Sequence, residues 1–459
     1  MSIKPMHQTG AFVLKESVVL VRSRVSCNVQ RHGWTLRSRL QVMGRAVRQP
    51  PNDRSGGMRH VRICIPYLVA ALVGCSSKVS DDMAPYTIVD SAGVRIVESH
   101  LPTWGAAGRQ IDPEPTLRIG QVEGEEAYEF GSLRDGALLT NGHIAVSDGL
   151  ANQVRIFDSA GRHLSTLGKA GDGPGEFRGL SSIWEYRGDS IAAFDGRLQR
   201  TSVFSRSSGL FRTVQNPSRA GFAVLGLVRD GPFILVGRGL SRSESLQGTG
   251  WDSAEVVALD LSGSSSEVIL RLPVNEVYYA PSGLRERVTA HGVSLEAIAD
   301  DGFYWATSDR YEITYYDAAG TVRRILRRHV QPVAIDESMK AEYEAAVLAE
   351  ARQHLGGEAA RIFVRNLENA QYAETLPLFG SAFVDRDQRL WVSEWAWPAL
   401  TDPPPPLRWS VFSADGHWLG DLEAPDRLRI VDSRGDIVLG IWRDDFDVQY
   451  VQLHQIISH

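Results

Sequence analysis

The chain has 459 residues, more than one ordinary domain needs, and a composition of 43% hydrophobic and 23% charged residues gives it ample material for a core. Of its 49 basic and 55 acidic residues, 12 and 2 precede Ser76, which leaves 37 against 53, a charge of about −16, on the remainder. So acidic a surface repels phosphate backbones and excludes nucleic acid as the expected partner. The cysteines are Cys27, Cys64 and Cys75, so nothing beyond Cys75 can form a disulfide, act as a thiol nucleophile or hold zinc through sulfur.

Residues 1–57 are arginine-rich and lack sustained periodicity, and two readings fit them: translation from a mis-assigned upstream start, or a disordered basic arm. Met58-Arg59-His60-Val61-Arg62 makes a second, basic start, and Ile63–Val73 is a mostly apolar run. That run is short for a membrane span and suits the core of a signal peptide. Leu72-Val73-Gly74-Cys75, followed by Ser76-Ser77, resembles a bacterial lipobox. The resemblance implies a signal peptide over 58–75, a lipid on Cys75 and a membrane-anchored envelope protein. Ser76 in place of aspartate points to the outer membrane if the cell is Gram-negative. Residues 76–100 are expected to form a tether and an N-terminal hairpin.

From 101 to 459 the sequence repeats. Leu117-Arg118-Ile119-Gly120 through Tyr128-Glu129-Phe130-Gly131-Ser132-Leu133 matches Thr166-Leu167-Gly168 through Gly175-Glu176-Phe177-Arg178-Gly179-Leu180. The offset of about 47 residues lies in the range of a four-stranded propeller blade. A paired-strand unit recurs about six times. Its second strands are His143–Asp148, Ser190–Asp195, Phe233–Val236, Phe303–Asp309, Leu390–Glu394 and Ile437–Trp442, with apolar residues at strand spacing. The last unit lacks an outer strand, and Thr116–Gly120 is a strand without a unit. Pairing the two would close the ring and protect its edges.

Ser147-Asp148, Asn152, Val154-Arg155-Ile156-Phe157-Asp158 and Gly161 together resemble an NHL-type repeat. Gly171-Asp172-Gly173-Pro174-Gly175-Glu176-Phe177 and the opening Ile88–Val97 are similar to segments of bacterial six-bladed β-propeller lipoproteins. The expected fold is therefore all-β, a six-bladed β-propeller over 101–459. Asp336–Leu355 breaks the period with helical spacing at Met339, Tyr343 and Val347, and Gly356-Gly357 interrupts it before Glu358–Ala370. A helical hairpin over 335–370 is expected between blades four and five.

The residues that follow each second strand should gather on one rim: Asp148, Asp195, Arg238, Asp309, Glu394 and Arg443. Mixed charges there suit a polar or anionic ligand, and two unpaired guanidiniums, Arg238 and Arg443, would favour an anion. The competing reading makes each Asp an acceptor for backbone N–H groups in its own turn. Trp391, Trp395, Trp397, Trp409 and Trp418 crowd into blade five, most of them as core. Trp395 and Trp397 stand in a loop before Pro398, where they could instead line a sugar or peptide site. His143, His291 and His417 are isolated, and Asp444, Asp445 and Asp447 read as a solvated turn.

No metal-ligand spacing, phosphate-cradling loop or nucleophile elbow occurs, so no catalytic residue, metal or cofactor is assigned. Two function classes remain. One is a binding module for a polar or anionic ligand, a glycan or an envelope protein, held to the membrane by its lipid. The other is a metal-dependent hydrolase or lyase of the lactonase-like kind found among six-bladed propellers. Its inward ligands would have to come from inner strands that read as mainly apolar, with Glu296 and Asp385 as the inward carboxylates.

Overall fold

A computed structural model describes residues 84–458, apart from 106–107, 188–189, 206–208, 217–221, 229–230, 232, 238–247, 261–265, 280–284, 291, 355–360, 362–363, 365–366, 368–369 and 397–405. Cys75, Arg238, His291 and Trp397 thus lie outside the described residues.

The second strand of each repeat unit is more apolar than an alternating strand should be, and the packing explains it. Every residue of Ile144–Asp148 is buried, as are the four of Leu390–Ser393. A strand covered on both faces is one whose sheet lies between two others. Six sheets, each built round an antiparallel meander and some extended by further strands, are stacked in this way.

Blade 1 comprises Leu133–Leu138, Ile144–Asp148, Gln153–Phe157 and His163–Leu167. Blade 2 comprises Leu180–Tyr186, Ser190–Asp195, Arg200–Ser205 and Gly209–Gln215. Blade 3 begins with Phe222–Leu227 and Phe233–Gly237 and continues in the long hairpin Gly248–Leu259 and Ser266–Tyr279. Blade 4 comprises Ser294–Ile298, Gly302–Thr307, Glu312–Asp317 and Val322–Arg328. Blade 5 comprises Ala382–Val384, Leu390–Ser393, Arg408–Phe412 and Trp418–Glu423. Blade 6 comprises Leu428–Arg434, Ile437–Arg443 and Gln449–Ser458.

The apolar core fixes the blade number. It is divided into six clusters, each filling the space between consecutive blades. Ile156 meets Phe177 and Ile183 between blades 1 and 2. Val203 meets Val257 between 2 and 3, and Val256 meets Phe303 between 3 and 4. Ile313 meets Leu390 between 4 and 5, and Trp391 meets Val438 between 5 and 6. The sixth cluster joins Leu439 and Ile441 of blade 6 to Ile144 and Phe157 of blade 1, so the stack closes on itself. The first strands of all six blades are neighbours in turn around the axis. The protein is a six-bladed β-propeller.

Blade 6 takes its outer edge from the start of the ring. Arg109–Ile111 and Leu117–Ile119 both pair antiparallel with Gln449–Ser458, the latter through Val451↔Ile119 and Leu453↔Leu117. Thr116–Gly120 therefore does close the ring, with a second short strand beside it. The N-terminal hairpin is placed where no sequence signal pointed. Tyr86–Ser91 pairs with Val94–Ser99, which runs parallel to Val322–Arg328 and extends blade 4 to six strands. The chain then passes over blade 5, where Thr103 and Trp104 donate to the carbonyls of Trp418 and Leu419.

The insertion before blade 5 contains the helix Glu337–His354. Asp336 caps it, its carboxylate accepting the Met339 N–H at 2.8 Å, and Tyr343 meets Tyr372 edge-on. Of the second helical segment, Arg361, Val364 and Leu367 are described, all helical. Among the described residues, no helix is long and apolar enough to cross a membrane.

Candidate functional site

Strand direction repeats from blade to blade, so the turn after every second strand opens on the face that also carries the connections between blades. This places the described rim residues on one face and gives them different roles. Asp148 and Asp195 are fully buried. The Asp148 carboxylate accepts the N–H groups of Gly131 (2.8 Å), Ser132 (3.1 Å), Leu150 (3.0 Å) and Ala151 (3.0 Å). Asp195 accepts those of Arg178 (2.6 Å), Arg197 (2.8 Å) and Leu198 (2.8 Å). In each blade the turn ends four residues on at a left-handed residue, Asn152 (φ 56°) and Gln199 (φ 52°). Both aspartates hold their turns and the incoming loops, which is the turn-acceptor reading of these residues.

Asp309 projects from its turn and lies 3.9 Å from Arg310, while Glu394 accepts the Arg408 N–H at 3.1 Å. Arg443 ion-pairs with Asp447 at 2.9 Å. The picture of two unpaired guanidiniums at the rim is therefore corrected at Arg443, which has a partner supplied by its own turn. Asp444 accepts the N–H groups of Phe446 and Val448, and Asp445 pairs with Arg427. This is the solvated turn expected of that run.

The inner strands differ from the sequence reading. Asp385 is not an inward ligand: it is buried in a turn of blade 5, where Arg389 and the Trp391 Nε1 donate to it. Asp135 and Asp432, which the sequence reading passed over, stand on the inner strands of blades 1 and 6. Asp135 accepts the Gly136 N–H within its blade and the Ile183 N–H of blade 2. Asp432 accepts the Leu138 N–H of blade 1 and the Arg386 Nε of blade 5. Each carboxylate thus stitches neighbouring blades together. Burial pushes the Asp135 carboxyl up to about 6, against the pull of its backbone hydrogen bonds and Arg429. The signal available in sequence was a shared Leu-Arg opening, Leu133-Arg134-Asp135 and Leu428-Arg429 with Asp432 following.

A cleft of about 510 Å³ opens on the loop-bearing face between blades 6 and 1. Its lining includes Val122, Phe130, Leu150, Arg155 and Asp447, together with the buried Asp148. Leu150 is 71% exposed, Val122 64%, and Phe446, next in sequence to Asp447, 88%. Beneath them the Arg155 guanidinium donates to the Glu129 carbonyl, lies 5.3 Å from the Phe130 ring and stands 3.7 Å from Asp148. The buried floor thus pairs a cation with a carboxylate, and the lining above it mixes the exposed apolar Val122 and Leu150 with Gln121, Glu129 and Asp447. Among the described residues no group of three or more His, Cys, Asp or Glu side chains is placed to hold a metal ion. Glu296 accepts a hydrogen bond from Ser294, and His143 and His417 sit in turns of blades 1 and 5.

A family model described as "6-bladed beta-propeller" (DUF5128) matches residues 129–213, which span blade 1 and most of blade 2. Among solved structures, a Bacteroides fragilis protein provisionally described as exported is 11% identical, with 79% of this chain and 99% of that one covered, at a TM-score of 0.44. A DUF4221 member from Bacteroides vulgatus is 10% identical, with 77% and 100% covered, at a TM-score of 0.44. A Xanthomonas campestris gluconolactonase is 11% identical, with 75% and 99% covered, at a TM-score of 0.37. No curated protein matches the sequence. Likenesses this low carry no function across, and the blade number rests on the chain's own sheets and core clusters.

Proposed function

We propose that the chain is a binding module of the bacterial cell envelope, tethered through Cys75, which receives a protein partner at the cleft between blades 6 and 1. The observation that carries this reading is the pair of exposed apolar side chains lining the cleft, Val122 and Leu150, with the exposed Phe446 next in sequence to its lining residue Asp447. Exposed apolar side chains grouped round a concave surface mark interaction sites, because a partner removes their area from water. An aromatic side chain as open as Phe446 has the character of an interface anchor. Of the candidate partners, a polar or anionic ligand, a glycan or an envelope protein, these apolar side chains favour the protein.

Site-specific photo-crosslinking in cells tests it. Benzoylphenylalanine in place of Phe446 should give one discrete adduct, weakened by Leu150→Asp. The same group at Ile88, exposed on the N-terminal hairpin, should give none. Equal adducts at both positions, or none at Phe446, would overturn the reading.

A further inference from the structure

Three arginines gather near the axis on the loop-bearing face. Arg134 stands near the start of the inner strand of blade 1, Arg429 near the start of that of blade 6, and Arg443 at the end of the next strand. Arg429 donates to the carbonyls of Leu133 (3.4 Å) and Arg134 (2.9 Å), which sets its guanidinium against the backbone that carries Arg134. The pairing with the second strand slips between Leu133 and Asp135, so Arg134 is the extra residue of a bulge and leaves the ladder. Its side chain lies along Gly149, where an added Cβ would come 2.7 Å from its Cγ and 2.8 Å from its Nε. Only glycine at 149 leaves room for that path.

The Arg134 guanidinium makes no hydrogen bond or ion pair with the described residues. Arg443 reaches across to Asp447 of the cleft. Arg429 is open to the channel yet enclosed by the inner strands. Burial lowers its pKa; Asp135 opposes this, and Arg443 and Arg134 add to it. The carboxylate nearest to neutralising the group, Asp135, has both oxygens committed to backbone N–H groups. Among the described residues Arg443 is thus paired with Asp447 and Arg429 is held on backbone carbonyls near Asp135, while the Arg134 guanidinium has no partner.

We propose that Arg134, Arg429 and Arg443 form an anion site at the mouth of the channel, which takes the phosphate group of a small ligand. Guanidinium forks match the oxygens of phosphate, and a dianion offsets the surplus charge better than a single carboxylate. This site stands apart from the protein-binding reading of the cleft and survives its failure.

Calorimetric titration of the purified chain from Ser76 onward with inorganic phosphate at low ionic strength tests it, with acetate as the comparison. One phosphate should bind per chain, more tightly than acetate. Arg134→Ala should weaken binding at least tenfold while leaving the melting temperature unchanged, since the guanidinium makes no hydrogen bond or ion pair with the described residues. Arg95→Ala, on the outer hairpin, should bind as wild type. Arg443→Ala should also weaken binding, and a salt-sensitive affinity should accompany all of these. No phosphate binding at millimolar concentration, or equal binding by Arg134→Ala, would overturn the site. Tighter binding of acetate than of phosphate would overturn the ligand class.

Discussion

Asp148 shows how one side chain can serve a turn, a loop and an ion pair together. Its carboxylate takes four backbone N–H groups and faces the buried Arg155. Asp148→Ala leaves those donors and that cation without an acceptor, which is expected to cost about 3–5 kcal/mol in urea unfolding. Loss of partner binding with unchanged stability would instead mean that the carboxylate serves a ligand. Asp135 gives a pH-dependent counterpart. Its folded pKa, about 6, lies above the ordinary carboxylate value of 3.8, so the folded state holds a proton that the unfolded chain releases. Stability from this group is therefore present below pH 3.8 and is lost as pH rises through 6. The stability of wild type relative to Asp135→Asn should fall by about 2 kcal/mol between pH 4 and pH 7. A difference that stays constant would show an ordinary carboxyl. The turn role of Asp148 was legible in the sequence, because the Asp-Gly-x-x-Asn run is local. The roles of Asp135, Arg134 and Arg429 were not, because they depend on which strands adjoin across the axis.

Ring closure depends on one short element. Ile119 is buried in the cluster between blades 6 and 1, and Leu117 packs against it. The pairing of Leu117–Ile119 with Gln449–Ser458 satisfies backbone groups that would otherwise form an open edge. Deleting 101–120 should expose that edge and part of a core cluster, giving aggregation in light scattering; a monomeric, cooperatively unfolding product would show that closure lies elsewhere. His454 reports on the same seam. Its ring is buried between the Asp112 carbonyl (2.8 Å) and the Gln452 side chain (3.0 Å), and burial holds its pKa below 6.5. A lowered histidine pKa stabilises above 6.5 and loses that contribution as pH falls through the folded value. Amide protection factors along Arg109–Ile111, corrected for the intrinsic pH dependence of exchange, should therefore fall on acidification, and His454→Gln should blunt the change. The closing strand was legible because Thr116–Gly120 was an unmatched copy of a repeat. The hairpin Tyr86–Ser99 was legible as a hairpin but not as part of blade 4, since a parallel pairing with Val322–Arg328 leaves no local trace.

At the scale of the whole molecule, period and packing agree on the ring. The repeat period gave the blade count, and the six core clusters enforce it, because a closed stack has no free face left to bury. Among the described residues no helix is long and apolar enough to cross a membrane, and the proposed attachment runs through the lipobox cysteine. Acyl chains bury about 0.8 kcal/mol per methylene, and several chains on one cysteine give a stable anchor where a single one does not. The chain joins the ring at Tyr86–Ser91, the outermost strand of the blade 4 sheet, rather than on the loop-bearing face. Roughly ten residues between Cys75 and that strand can span at most about 35 Å. Mass spectrometry of the protein from its native membranes should find an acylated N-terminal Cys75, with everything upstream removed. Cys75→Ser should shift the protein from the detergent phase to the aqueous phase while its far-UV circular dichroism stays that of a β-propeller. A mature N-terminus upstream of Cys75, or an unmodified Cys75, would remove the tether and leave the ring's binding surfaces to be explained without a membrane.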